Sequence, residues 1–181
     1  MNGKVASSKA LGFGIFAVGV WLFSMALSGL AVFHYGGQTH MISMFMGIGL
    51  LVAGVAAFLR NETWFAFFFI LWSVASFATG GAYASGWMWL AMALINLYLW
   101  LAARNAKLET AIVVIAFLIG LDCLGQGLSR VAGLHLAGLI GAYIGLATAA
   151  LAFYVSAVHV MCPDGCDRLP MMGGGKGSGG V

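Results

Sequence analysis

Three polar side chains that could take part in chemistry are spaced one helical turn apart in an otherwise apolar stretch: Asp122, Gln126 and Arg130. Residues four apart lie on the same face of an α-helix, so the spacing predicts a polar stripe. An ionisable group such as Asp122 inside an apolar segment indicates a functional site by default. The stripe is suited to lining a water-filled vestibule, with Arg130 attracting anions at its mouth. The alternative is that Asp122 lies near the interface, carries a proton, or pairs with a neighbouring helix or subunit.

Two further residues are candidates for a path through the protein. Asn96 is a polar residue within another apolar stretch, and we group it with the vestibule residues. Trp72 lies near the middle of its stretch, where a belt of interfacial aromatic residues does not explain it. It either packs in the core or narrows a pathway.

Residues for catalysis or metal binding are not evident. The four histidines are scattered without metal-ligand spacing. No serine or cysteine arrangement with histidine and no pair of acidic residues suggests an active site. Cys162 and Cys166 would need further ligands to bind a metal, and a turn at 163–165 explains their spacing better. We therefore expect no enzyme activity, no metal and no cofactor.

The elements that position these residues follow from composition. Hydrophobic residues make up 62% of the 181 residues and charged residues 7%, whereas a soluble domain carries about 25% charged residues. A helix needs about 20 apolar residues to cross a bilayer core about 30 Å thick. Six stretches approach or exceed this length: 10–33, 41–60, 63–83, 86–103, 108–128 and 135–161. The expected fold class is an all-α membrane protein, a bundle of six transmembrane helices.

Basic residues set the expected orientation. Seven of the eight would lie on one side of a six-helix bundle: Lys4, Lys9, Arg60, Arg104, Lys107, Arg168 and Lys176. Arg130 would lie on the other side. Because short cytoplasmic loops carry the excess of lysine and arginine, both termini are expected in the cytoplasm. The net charge of +3 reflects this bias and does not indicate a nucleic-acid partner.

The connections between the stretches leave no room for a further domain. We expect a cytoplasmic segment at 1–9, a transmembrane domain at 10–161 and a flexible, glycine-rich cytoplasmic tail at 162–181. Gly138, Gly141 and Gly145 are small residues of the kind that let helices approach closely in lipid. A path through such a tightly packed bundle would be narrow.

Several short motifs occur in an order that resembles the acetate uptake transporter family, the succinate–acetate permeases of bacteria and fungi. They are Leu11-Gly12-Phe13-Gly14, Met46-Gly47-Ile48-Gly49, Asn61-Glu62-Thr63-Trp64, Leu124-Gly125-Gln126, His135-Leu136-Ala137-Gly138-Leu139-Ile140-Gly141 and Arg168-Leu169-Pro170. The stretch in the sixth span is the most specific. The proline-containing signature of the family before the first helix is absent, and Leu50 replaces its polar residue in the second.

The resemblance implies further properties. Members form hexamers in which each protomer has its own path, closed by a hydrophobic constriction. By alignment this constriction falls on Phe13, Trp72 and Ile115. Apolar rings of this kind gate by excluding water. Trp72 replaces the tyrosine of the family, which would narrow the path and remove a hydroxyl.

These observations lead to one expected function and two alternatives. The expectation is a multi-pass protein of the cell (inner) membrane that carries acetate or another small monocarboxylate, with or without proton coupling. Its partners would be the carboxylate, the lipid bilayer and further copies of the chain. One alternative is a channel for a small neutral solute such as urea or an amide. The other is a structural or stress-related membrane protein that transports nothing.

Overall fold

The computed structural model describes residues 7–30, 38–80 and 85–161, and these form six α-helices without a strand. The helices are α1 (Ser8–Leu27), α2 (Gln38–Leu59), α3 (Thr63–Gly80), α4 (Gly86–Asn105), α5 (Thr110–Val131) and α6 (His135–Met161). The predicted fold class is confirmed. Residues 162–181, with Cys162 and Cys166, lie outside the described residues, so the predictions for the tail stay predictions.

Five of the helices are long and apolar enough to cross a membrane, and the chain is a multi-pass membrane protein. The exception is α3, whose apolar stretch Thr63–Ala78 is shorter. Helix α1 ends earlier than the predicted residue 33, because Gly29 adopts the left-handed conformation that terminates helices. Helix α5 runs beyond the predicted residue 128, so Arg130 lies in its last turn.

Two helices end in the same way. After α2 and α4 the chain turns through a left-handed residue, Asn61 with φ 58° and Lys107 with φ 52°. In both turns the next amide bonds a carbonyl five residues back, Glu62 to Ala57 at 3.0 Å and Leu108 to Ala103 at 3.1 Å. This arrangement gives hydrogen-bond partners to carbonyl groups in the last turn of the helix that would otherwise be unpaired. It allows the short connections that the sequence predicts.

The six helices form a closed ring in chain order. Helix α1 packs extensively against α6, α2 against α3, α4 against α5 and α5 against α6, while α1 and α2 have a smaller contact. The ring closes between α3 and α4, where backbone contacts are sparse. Side chains bridge this wider gap, since Trp64 and Trp72 of α3 bond to Leu99 and Asn96 of α4.

Polar contacts tie the helix ends together on the side that the charge pattern predicts to be cytoplasmic, which we call the inner face. The Ser8 hydroxyl donates to the Glu62 carboxylate at 2.7 Å, joining the start of α1 to the α2–α3 connection. His159 near the end of α6 lies 3.7 Å from Glu109 before α5. The opposite end of the bundle, where Arg130 lies, is the outer face.

Candidate functional site

Seven aromatic rings fill the inner half of the bundle between α1 and α3. We call this cluster the aromatic plug, and its members are Phe13, Phe16, Trp64, Phe65, Phe68, Phe69 and Trp72. Phe13 contacts Phe69 edge-on with 5.4 Å between ring centroids, and Phe16 contacts Trp72 in the same way at 5.2 Å. Each such pair contributes about 0.5–1.5 kcal/mol beyond the area it buries. The plug is therefore a stable block several rings thick.

Two tryptophans of the plug donate hydrogen bonds to α4, across the sparse contact between α3 and α4. Trp72 Nε1 donates to Asn96 Oδ1 at 3.4 Å, and Trp64 Nε1 donates to the carbonyl of Leu99 at 3.1 Å. Asn96 Nδ2 in turn donates to the carbonyl of Met92 at 2.8 Å, which fixes the amide orientation. Asn96 is completely buried. It acts as an acceptor that holds the Trp72 ring in place.

The Asp122 carboxyl group packs against the glycine face of α6. Gln126 Nε2 donates to Asp122 Oδ1 at 3.3 Å and to the carbonyl of Gly138 at 3.0 Å. A side chain added at Gly141 would meet Asp122 Oδ1 at 3.2 Å, and one at Gly145 would meet Asp122 Oδ2 at 2.9 Å. The same Gly145 position is also in contact with the Ser24 hydroxyl of α1. The glycines thus make room for a carboxyl group between α1, α5 and α6.

A cavity of about 30 Å³ lies in the outer half of the bundle, above the aromatic plug. Five helices contribute its walls, which are Val20, Phe23, Ser24, Leu27, Met46, Trp72, Ala75, Ser76, Met88, Trp89, Met92, Ile119 and Asp122. A space of this size holds one or two water molecules. Its walls are mostly apolar, with Asp122 as the ionisable group among them. The cavity reaches the plug at Trp72.

Trp89 forms part of the α4 wall of this cavity. Its Nε1 atom is buried and has no hydrogen-bond partner among the described residues. The Arg130 guanidinium of α5 lies over the Trp89 ring, 5.6 Å from its centroid. A cation over an indole face is a favourable pairing. Arg130 is exposed at the outer face, so the ring separates it from the interior.

The structure groups the sequence candidates in two sets and leaves one at the surface. Asp122 and Gln126 form one pair, and Trp72 and Asn96 form another. Arg130 is exposed at the outer face and lies over the Trp89 ring. Of the predicted constriction, Phe13 and Trp72 both belong to the plug. Ile115 is fully buried in the same core, one turn from the cavity residue Ile119.

Sequence reasoning did not single out Phe16, Ser24 or Trp89. Phe16 follows Phe13 by one turn, which is the signal that could have extended the constriction along α1. Trp89 occurs near a helix end with other aromatic residues, which is typical of an interfacial belt. Nothing local distinguishes it from Trp87, which is 70% exposed. Within the described ranges, no three His, Cys, Asp or Glu side chains are grouped to hold a metal ion.

Comparison with known proteins adds information on the fold. Neither a family model nor a curated protein sequence matches the chain. A solved structure, that of the bacterial acetate channel SatP, superposes with a TM-score of 0.79. The match covers 88% of this chain and 94% of the channel at 16% sequence identity. The chain therefore shares the six-helix fold of that channel.

Proposed function

We propose that the protein is a membrane channel or transporter for acetate or a similar small monocarboxylate. The observation that carries the proposal is the cavity that ends on the Trp72 ring, inside a bundle with the fold of an acetate channel. Phe13 and Trp72 gate the path as parts of the aromatic plug, with Ile115 in the surrounding core. Asp122, Gln126, Arg130 and Asn96 belong to the vestibule, and no catalytic step is required.

The permeant crosses as the neutral acid or together with its proton. Among the residues that the structure describes, no lysine or arginine lines the cavity, whose walls are mostly apolar. An unpaired anion is very costly to transfer into such surroundings. A carboxylic acid that carries its proton avoids this cost, and transport would then depend on the supply of protons.

Opening requires side chains to move. The cavity is too small for a carboxylic acid of four heavy atoms together with water, and the plug closes the inner half. Three of the cavity residues are methionines: Met46, Met88 and Met92. Methionine is unbranched and adapts its shape readily, so these side chains are suited to admitting a small solute.

We place the protein in the cell (inner) membrane as an oligomer of identical subunits. Many large apolar side chains are exposed on the outside of the bundle, including Phe45 at 70% and Leu94 at 70%. Such a surface suits lipid or a second copy. The hexamer rests on the family resemblance, and each subunit has a cavity of its own.

The first experiment is uptake of labelled acetate by proteoliposomes. We expect uptake well above that of empty liposomes, rising as the external pH falls because more acid is neutral. Trp72→Ala should increase uptake severalfold, since it removes the ring at the end of the cavity. Asp122→Asn keeps an acceptor for Gln126 but cannot carry an acid proton. A retained pH dependence in this variant supports entry as the neutral acid, and a lost pH dependence supports proton transfer through Asp122.

The matched control is Trp87→Ala, a tryptophan at the surface of α4, which should leave uptake unchanged. Absence of acetate uptake at any pH would refute the proposed function. If uptake changes neither with pH nor in Trp72→Ala, the proton dependence and the gating role of Trp72 are refuted. Acetate would remain the permeant.

A channel for a small neutral solute is the second candidate. The lack of cationic side chains among the described residues of the cavity wall favours it equally. The two candidates differ in their response to urea. If urea passes and competes with labelled acetate in the same liposomes, the neutral-solute function is supported. If acetate uptake ignores excess urea, the carboxylate function is supported.

A further inference from the structure

A tryptophan that lines the outer cavity has a buried side-chain donor with no acceptor among the described residues. The Trp89 ring lines the cavity, and its Nε1 atom is buried without a hydrogen-bond partner among the described residues. A buried donor that stays unpaired destabilises the folded state. Buried N–H groups are almost always paired with protein, water or a ligand. The unpaired group is therefore a candidate donor to a small molecule that enters the cavity when its side chains move.

The walls around Trp89 suit a small molecule with one polar and one apolar end. Ser24 and Asp122 supply polar groups from α1 and α5, while Val20, Phe23 and Ile119 supply apolar surface. Binding sites of this kind combine apolar walls with a few polar groups that fix orientation. A carboxylic acid with a short alkyl group has the matching shape and chemistry.

We propose that the indole N–H of Trp89 donates a hydrogen bond to an oxygen of the permeating carboxylic acid in the outer cavity. This inference rests on the proposed function and adds a substrate-binding residue to it. Arg130 lies over the Trp89 ring, 5.6 Å from its centroid, and this contact helps to hold the ring in position before the ligand arrives. The alkyl end of the acid then points to the apolar walls above Trp72.

Binding can be tested separately from transport. The full chain in lipid nanodiscs, with ¹⁵N in the indole groups, has six tryptophan side-chain signals, and Trp89→Phe identifies one of them. We expect that signal to shift saturably with sodium acetate and to stay in place with sodium chloride at the same concentration and pH. The Trp87 signal should not respond, and neither should that of Trp64, whose N–H is bonded to Leu99.

Transport gives a second measurement. Trp89→Phe keeps an aromatic ring under Arg130 but removes the donor, so the half-saturating acetate concentration should rise about tenfold. Trp87→Phe removes the same group at the surface and should change it by less than about twofold, as expected for an exposed site away from the cavity.

The outcomes separate this inference from the proposed function. A Trp89 signal that ignores acetate overturns the inference, because water then satisfies the N–H, whatever the uptake assay shows. An acetate-dependent shift without any uptake supports the binding site and refutes transport. Uptake by the wild type with an unchanged half-saturation in Trp89→Phe also overturns the inference.

Discussion

At the scale of single residues, the arrangement of Trp72 and Asn96 explains how the plug is held. Trp72 contacts Phe16 within the plug and donates to Asn96 of α4. In a bundle whose α3–α4 backbone contact is sparse, this bond and that of Trp64 connect the two helices. A change at Asn96 should therefore act through Trp72.

The coupling between these residues can be measured with a double-mutant cycle. Trp72→Phe and Asn96→Ala each remove the bond, so the double variant should lose about 1 kcal/mol less unfolding free energy than the sum of the single variants. Denaturant unfolding in detergent gives these values. Trp64→Phe combined with Asn96→Ala is the control, since Trp64 bonds to Leu99, and these changes should be additive. Additivity in both pairs would contradict a positioning role for Asn96.

At the scale of helices, close approach of α5 and α6 builds the Asp122 pocket. A side chain at Gly125 would lie 2.5 Å from the carbonyl of Ala137 and 3.1 Å from the backbone of Gly141. Backbone atoms cannot rotate out of the way as side chains do, so the helices would have to separate. Small residues at helix contacts are the usual route to such proximity in lipid.

Gly125→Ala should therefore destabilise the protein by about 1–3 kcal/mol and disturb the bond from Gln126 to Gly138. Gly120→Ala on the same helix is the matched control, because its new side chain would meet Asn96 Cβ at an ordinary 3.4 Å. Thermal unfolding of both variants in detergent measures the difference. Equal melting temperatures for the two variants would show that α5 and α6 are not closely packed at Gly125.

At the scale of the whole molecule, the six helices place four described basic residues at one end of the bundle: Lys9, Arg60, Arg104 and Lys107. The contacts of Ser8 with Glu62 and of His159 with Glu109 bring the start of α1, the end of α6 and two connections to one end of the bundle. From the positive-inside rule we expect this end to lie in the cytoplasm. Arg130 lies at the other end, beside the outer cavity.

This orientation can be tested with single cysteines in a background in which Cys123, Cys162 and Cys166 are replaced. Arg130→Cys should react with a membrane-impermeant maleimide in intact cells. Arg104→Cys lies at the inner face, in the last turn of α4. It should react only after the membrane is permeabilised. Both positions are exposed, so the comparison reports sidedness. The reverse pattern would invert the bundle and place the cavity on the cytoplasmic side.

The sequence alone was sufficient for the class of protein and for most of its elements. Length, apolar content and the position of charges predict six spans because the bilayer imposes a fixed thickness and excludes charge. The same reasoning identifies Asp122 and Trp72 as unusual. Asp122 is an ionisable residue within an apolar span, and Trp72 is a tryptophan near the middle of a span and not at its interfacial end. These are local properties, which a single segment reveals without its neighbours.

The tertiary structure alone decided which side chains meet. The pairs Trp72–Asn96 and Asp122–Gly145 each join two different helices, and helical periodicity does not specify which helix faces meet. The unpaired N–H of Trp89 is likewise a property of its surroundings, since Trp87 has the same local pattern but lies at the surface. Because lipid is as apolar as the helix surfaces, hydrophobicity does not select the contacting faces, and close packing of small against large side chains decides the arrangement.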